Sequence, residues 1–110
     1  MRPETRVYLS DALSAIDEIV SIAGADGNTY LDSRRDALAI ERLFEILGEA
    51  LARIGKAEPA VLDLIPDALA IIGMRNVIAH GYDAIDPMRI VSAIRDRAPD
   101  LSSVLKKLLS

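Results

Sequence analysis

The sequence contains no cysteine and no tryptophan, one phenylalanine and one histidine. Without cysteine there is no disulfide, no thiolate zinc site and no cysteine nucleophile. With His80 as the sole histidine, one chain cannot supply a metal site with two or more histidine ligands, and an H-E-x-x-H protease helix is excluded. Aromatic residues make up 4% of the chain. The core must therefore be aliphatic, and the scarcity argues against an RNA binder that stacks bases on aromatics. Long apolar runs are also missing. The longest, Ala68 to Met74, is far short of the ~20 residues that span a bilayer. The start, Met1-Arg2-Pro3-Glu4, lacks the apolar region of a signal peptide. The expectation is a cytoplasmic protein with no membrane partner.

What is present is a chain of 110 residues, 51% apolar and 27% charged. That suits a single domain over residues 1–110 with a real core, and it is not the composition of a disordered chain. Lys plus Arg is 13 against 17 for Asp plus Glu, a net charge of −4. An acidic chain repels polyanions at long range, so any nucleic-acid chemistry must rest on a local basic site.

The apolar pattern is helical throughout. Leu9, Leu13, Ile16, Val20 and Ala23 recur in steps of three and four from Val7 to Ala23, and Gly24 is a natural stop. Ala25 to Asp32 reads as a loop. Ser33 opens the strongest helix, with Asp36 three residues on as a weak capping box. Its stripe is Ile40, Leu43, Phe44, Leu47, Leu51 and Ile54, with Glu41, Arg42, Glu45 and Arg53 off it, and Gly55 as its end. A third long helix is expected from Pro66, at a first helical position, to about His80. Its Gly73 implies a close helix–helix contact. Asp86-Pro87 is an N-cap followed by proline, with Ile90, Val91 and Ile94 inward. Pro99 is read as an interruption before a last helix from Asp100 that buries Leu101, Val104, Leu105 and Leu108. The fold class is all-α: four main helices and a short fifth, running up and down.

One segment carries chemistry. Met74-Arg75-Asn76-Val77-Ile78-Ala79-His80-Gly81-Tyr82 gathers an Arg, an Asn, the sole His and a Tyr. Arg is a permanent cation that clamps phosphate oxygens. His, with an unperturbed pKa near ~6.5, moves protons at neutral pH. Together they form a minimal kit for cleaving a phosphodiester without a metal. Asn76 and His80 share a helix face. Arg75 and His80, five residues apart, are separated by about 140° on an ideal helix. Either the helix ends by His80, as Gly81 permits, or a second copy across a two-fold axis completes the site. Plainer readings fit the same spacing: a helix-capping His80, an ion-paired Arg75, a backbone-bonded Asn76 and a core-edge Tyr82.

The run Arg75-x4-His80-x-Tyr82 resembles the HepT-like proteins of the HEPN superfamily, small prokaryotic helical proteins. Leu47-Gly48-Glu49-Ala50 is similar to that family's Ile-Gly-Glu-Ala, and Ile65-Pro66 and Pro99-x-Leu101 also match in order. The family often has an aromatic after the proline matched to Pro66; here Asp67 stands there. The resemblance covers nearly the whole chain. It implies a HEPN-type bundle that dimerises, and a metal-independent endoribonuclease toxin that needs no cofactor. Arg75 and His80 would be its catalytic pair in a cleft between two subunits, with Asn76 positioning them. The implied partners are RNA as substrate, a second copy as homodimer, and a minimal nucleotidyltransferase antitoxin. Tyr82 would be the tyrosine that some antitoxins modify with AMP, adding bulk and negative charge at the site. The alternative is a catalytically inactive HEPN module that serves as partner or substrate of a nucleotidyltransferase. Arg89, Arg95, Arg97, Lys106 and Lys107 offer either a local RNA track or an ordinary solvated face. Asp17-Glu18 reads as surface solubility.

Overall fold

The computed structural model describes residues 1–81 and 85–110. Among these residues there is no strand. Seven α-helical segments follow in order: α1 (Pro3–Ala23), α2 (Thr29–Asp32), α3 (Arg34–Ala57), α4 (Pro59–Leu62), α5 (Ala68–His80), α6 (Pro87–Ser92) and α7 (Ala98–Leu109). A π-helical turn, Ala93–Arg97, joins the last two. The all-α class and the four long helices agree with the sequence pattern. Three short helices stand where one was expected. No described helix is long and apolar enough to cross a membrane.

The long helices form because their apolar residues share a face. On α3, Ile40, Phe44, Leu47, Leu51 and Ile54 are all buried, each contributing roughly 1.5–3 kcal/mol. Leu9, Ile16 and Ile19 of α1 pack along that stripe. From the other side come Ile71, Met74 and Ile78 of α5. Leu101 and Leu105 of α7 close on α1. Val104 and Leu108, expected inside, are only half-buried.

Several boundaries differ from the expectation, each for a physical reason. Helix α1 begins at Pro3 rather than Val7, because proline is suited to the first turn, where its missing N–H costs nothing. Buried Thr5 donates its hydroxyl to Glu58 at 2.8 Å, and Glu58 also accepts the Arg2 backbone N–H. The hydrogen bond from Arg2, then that from Thr5, hold the Glu58 carboxyl below its ordinary range.

The stretch read as a loop contains α2, whose Tyr30 is buried and donates its phenol to Glu41 at 2.7 Å. Glu41 is therefore buried, not off the stripe. Its polar side chain enters the core because a donor meets it there. Helix α3 passes Gly55 and runs to Ala57, where Glu58 turns extended ahead of Pro59. Gly55 serves packing instead: a Cβ there would stand 2.9 Å from Leu62.

Pro66 is not at a first helical position. Helix α5 starts at Ala68, after Asp67 in the left-handed region (φ 60°). Pro99 does not interrupt; α7 takes it into its first turn from Ala98. The signals at Gly24, at Ser33 (Oγ accepting from the Asp36 N–H, 3.2 Å) and at Asp86 (accepting from the Met88 N–H, 3.0 Å) act as expected.

Gly73, expected at a close helix–helix contact, does not stand at one. A Cβ added there would meet nothing within 4 Å, so it marks no helix contact. The close approach between helices is at Gly48. A Cβ on Gly48 would collide with the Arg75 stem, standing 2.8 Å from its Cγ.

Candidate active site

The crossing of α3 and α5 builds the site. Because Gly48 has no side chain, the stem of Arg75 lies directly on the α3 backbone. The guanidinium then reaches the next residue of α3, where its Nη2 pairs with Glu49 Oε2. Its Nη1 donates to Asn76 Oδ1 at 2.7 Å. Glu49 Oε1 in turn accepts from Arg53 Nε at 3.1 Å, one helical turn along. One carboxylate thus bridges two guanidinium groups. The hydrogen bond from Arg53, reinforced by the charge of Arg75, holds the Glu49 carboxyl below its ordinary range. The Arg75 side chain is 31% exposed, so it remains open to solvent while held.

His80 is the last residue of α5 and is exposed. Gly81 caps the helix by donating its N–H to Val77 O at 2.8 Å. Arg75 and His80 both line one open groove of about 650 Å³, between α1, α3 and α5. Tyr8, Asp11 and Glu18 of α1 and Arg42, Glu45 and Arg53 of α3 also line the groove. Its walls are mixed in charge, but around Glu49 two arginines face one carboxylate, a local excess of positive charge.

Of the residues singled out in the sequence, Arg75 and His80 line this groove, and Asn76 accepts a hydrogen bond from Arg75. Tyr82 lies outside the described residues. Glu49, Arg53 and Tyr8 are neighbours that sequence reasoning did not place in the site. The i, i+4 spacing of Glu49 and Arg53 is readable, but the pairing of Glu49 with Arg75 crosses between helices. In the C-terminal basic stretch, Arg95 is paired with Asp96 (2.9 and 3.0 Å) and Arg97 with Asp67 (3.1 Å). Those two cations are engaged with carboxylates, as on an ordinary solvated face. Among the described residues no group of three or more acidic, histidine or cysteine side chains is arranged to hold a metal ion.

Comparison with known proteins gives a consistent answer. The family described as Ribonuclease HepT-like matches residues 12–108. Two proteins of Methanocaldococcus jannaschii are similar along nearly their whole length. "Putative RNase MJ0125" is 23% identical over 107 residues, 96% of this chain and 91% of its own. "Putative RNase MJ1216" is 22% identical over 107 residues, 96% of this chain and 88% of its own. No solved structure matches the chain at a significant level.

Proposed function

From the premise that this chain belongs to the HepT-like ribonuclease family, we propose that it is a metal-independent endoribonuclease with Arg75 and His80 as its catalytic pair. The observation that carries this reading is the shared groove. Both side chains line it, and Arg75 is held on one side by Glu49 and on the other by Asn76. The His80 imidazole would take the proton of an RNA 2′-hydroxyl, and the 2′-oxygen would attack the adjacent phosphorus. Arg75 would neutralise the charge gathering on the phosphoryl oxygens, with Asn76 fixing its orientation. The 5′-oxygen would leave with a proton from an imidazolium. The products are a 2′,3′-cyclic phosphate and a 5′-hydroxyl. One chain has one histidine. A homodimer that joins two grooves across a two-fold axis would supply both base and acid.

In this reading the protein is the toxin of a toxin–antitoxin pair acting in the cytoplasm. A nucleotidyltransferase antitoxin neutralises it by binding, or by transferring AMP from ATP to the Tyr82 phenol. The test is cleavage of a mixed RNA by purified protein in EDTA, beside His80→Ala and Arg75→Ala. Cleavage by the wild type alone, leaving 2′,3′-cyclic ends, is the expected result. Full cleavage by either variant removes the assignment.

One observation favours a second reading. Arg75 is already paired with Glu49, and the chain is acidic overall. A catalytically inactive module that serves as the nucleotidyltransferase's partner fits both facts. An AMP adduct that forms with the cognate enzyme and ATP and is lost in Tyr82→Phe, together with RNA left intact by unmodified protein, would select it.

A further inference from the structure

We propose that Tyr8 and Arg53 form a nucleobase subsite beside Arg75 and His80, in which one base of a single-stranded RNA stacks on the Tyr8 ring beneath the Arg53 guanidinium. The inference rests on the ribonuclease reading and adds to it where the substrate is gripped. The low aromatic content speaks against a platform of several rings. It leaves open a single ring placed at the site, and the structure has one there. Among the described residues, Phe44 and Tyr30 are core, 1% and 7% exposed. Tyr8 is the remaining described aromatic, only partly buried, and it lines the groove that holds Arg75 and His80.

Arg53 sits over that ring, its Cζ 5.9 Å from the centroid. Two van der Waals contacts in series span about 7 Å. Arg53 is exposed and therefore able to move outward to admit a flat base between guanidinium and ring. Both faces of such a slot suit a nucleobase, since bases stack on aromatic rings and on guanidinium planes alike. The slot is also tied to the chemistry. Arg53 and Arg75 share the Glu49 carboxylate, so a base held under Arg53 has its backbone next to Arg75. For a chain of net charge −4, long-range attraction does not gather RNA, and a short-range stacking contact supplies binding that charge does not.

Stacking predicts little sequence preference at this position and a strict need for a base. The experiment measures equilibrium binding of a fluorescein-labelled single-stranded oligoribonucleotide to the His80→Ala protein, which holds RNA without cleaving it. Adding Tyr8→Leu, which keeps an apolar side chain between α1 and α3, should weaken binding roughly 10-fold. Tyr8→Phe should bind within about twofold of the parent, since the ring is what stacks. An oligonucleotide with a single abasic site, moved along the strand, should bind the parent weakly at one position, and Tyr8→Leu should add no further loss there. In the protein that retains His80, Tyr8→Leu should raise KM with kcat little changed, which a purely structural role would not do. If Tyr8→Leu binds as tightly as its parent while the wild type cleaves RNA, the subsite is wrong and the ribonuclease reading stands. If the wild type neither binds nor cleaves RNA, both fall together.

Discussion

The stem of Arg75 rests on the bare backbone of Gly48, and no side chain can occupy both places. This contact sets how closely α5 approaches α3 and where the Arg75 guanidinium emerges. Gly48→Ala should therefore destabilise the protein. Overpacking costs about 1–3 kcal/mol, and the atoms a Cβ would strike are the base of the Arg75 side chain, not its flexible tip. Gly73→Ala is the matched control on the facing helix. Nothing lies within 4 Å of a Cβ there, so the substitution should gain up to about 1 kcal/mol of helix propensity. Thermal unfolding should move in opposite directions for the two variants. A melting temperature raised by both would mean that the α3–α5 crossing is looser than described.

Glu49 makes the site's stability pH-dependent. Its carboxyl is held below the ordinary value of 4.5 by the hydrogen bond from Arg53 and the charge of Arg75. A depressed folded-state pKa stabilises fully above the ordinary value, and the stabilisation is lost as pH falls through the folded one. The melting-temperature difference between wild type and Glu49→Gln should be present at pH 6 and shrink as the pH falls below 4.5. The effect should be modest, because both partners face solvent. A difference that stays constant, or widens, from pH 6 to pH 3 would contradict this origin.

The sequence showed those features whose causes are local. The α3 stripe from Ile40 to Ile54 is legible because burial on one helix face leaves a periodic trace. Gly24, Ser33 and Asp86-Pro87 are legible because a cap acts on its immediate neighbours. The features that escaped depend on a partner elsewhere. Helix α2 is four residues long, too short for a period, and is held by Tyr30 reaching Glu41. Glu41 looks like a solvated residue until Tyr30 is placed against it. Nothing in Gly48 or Gly73 alone says which one another helix crosses. The site divides the same way. Arg75, Asn76 and His80 stand together on one segment and were visible. Glu49 is 26 residues away in the chain and joins them only through the crossing at Gly48.

The Tyr30–Glu41 pair ties α2 to α3 inside the core, and its loss should be felt globally. Tyr30→Phe keeps the ring and removes the donor at 2.7 Å from a buried carboxylate. Leaving a buried polar group short of a partner costs about 1–3 kcal/mol. Chemical denaturation should show a lower midpoint with an unchanged slope, since the surface exposed on unfolding is the same. An unchanged midpoint would show that the phenol contributes nothing net to stability.

Arg75→Lys separates charge from geometry at the site. Lysine keeps the positive charge but not the planar fork. Arg75 uses Nη1 for Asn76 and Nη2 for Glu49, two directions that one ammonium cannot reproduce with the same spread. If Arg75 acts through oriented donors on phosphoryl oxygens, the lysine variant should cleave RNA roughly 10²–10³-fold more slowly, close to Arg75→Ala. Binding of uncleaved RNA should fall less, because the charge that attracts phosphate remains. If Arg75→Lys instead cleaves at the wild-type rate, charge alone suffices. The pairing with Glu49 and Asn76 would then hold the helices together and do nothing for the reaction.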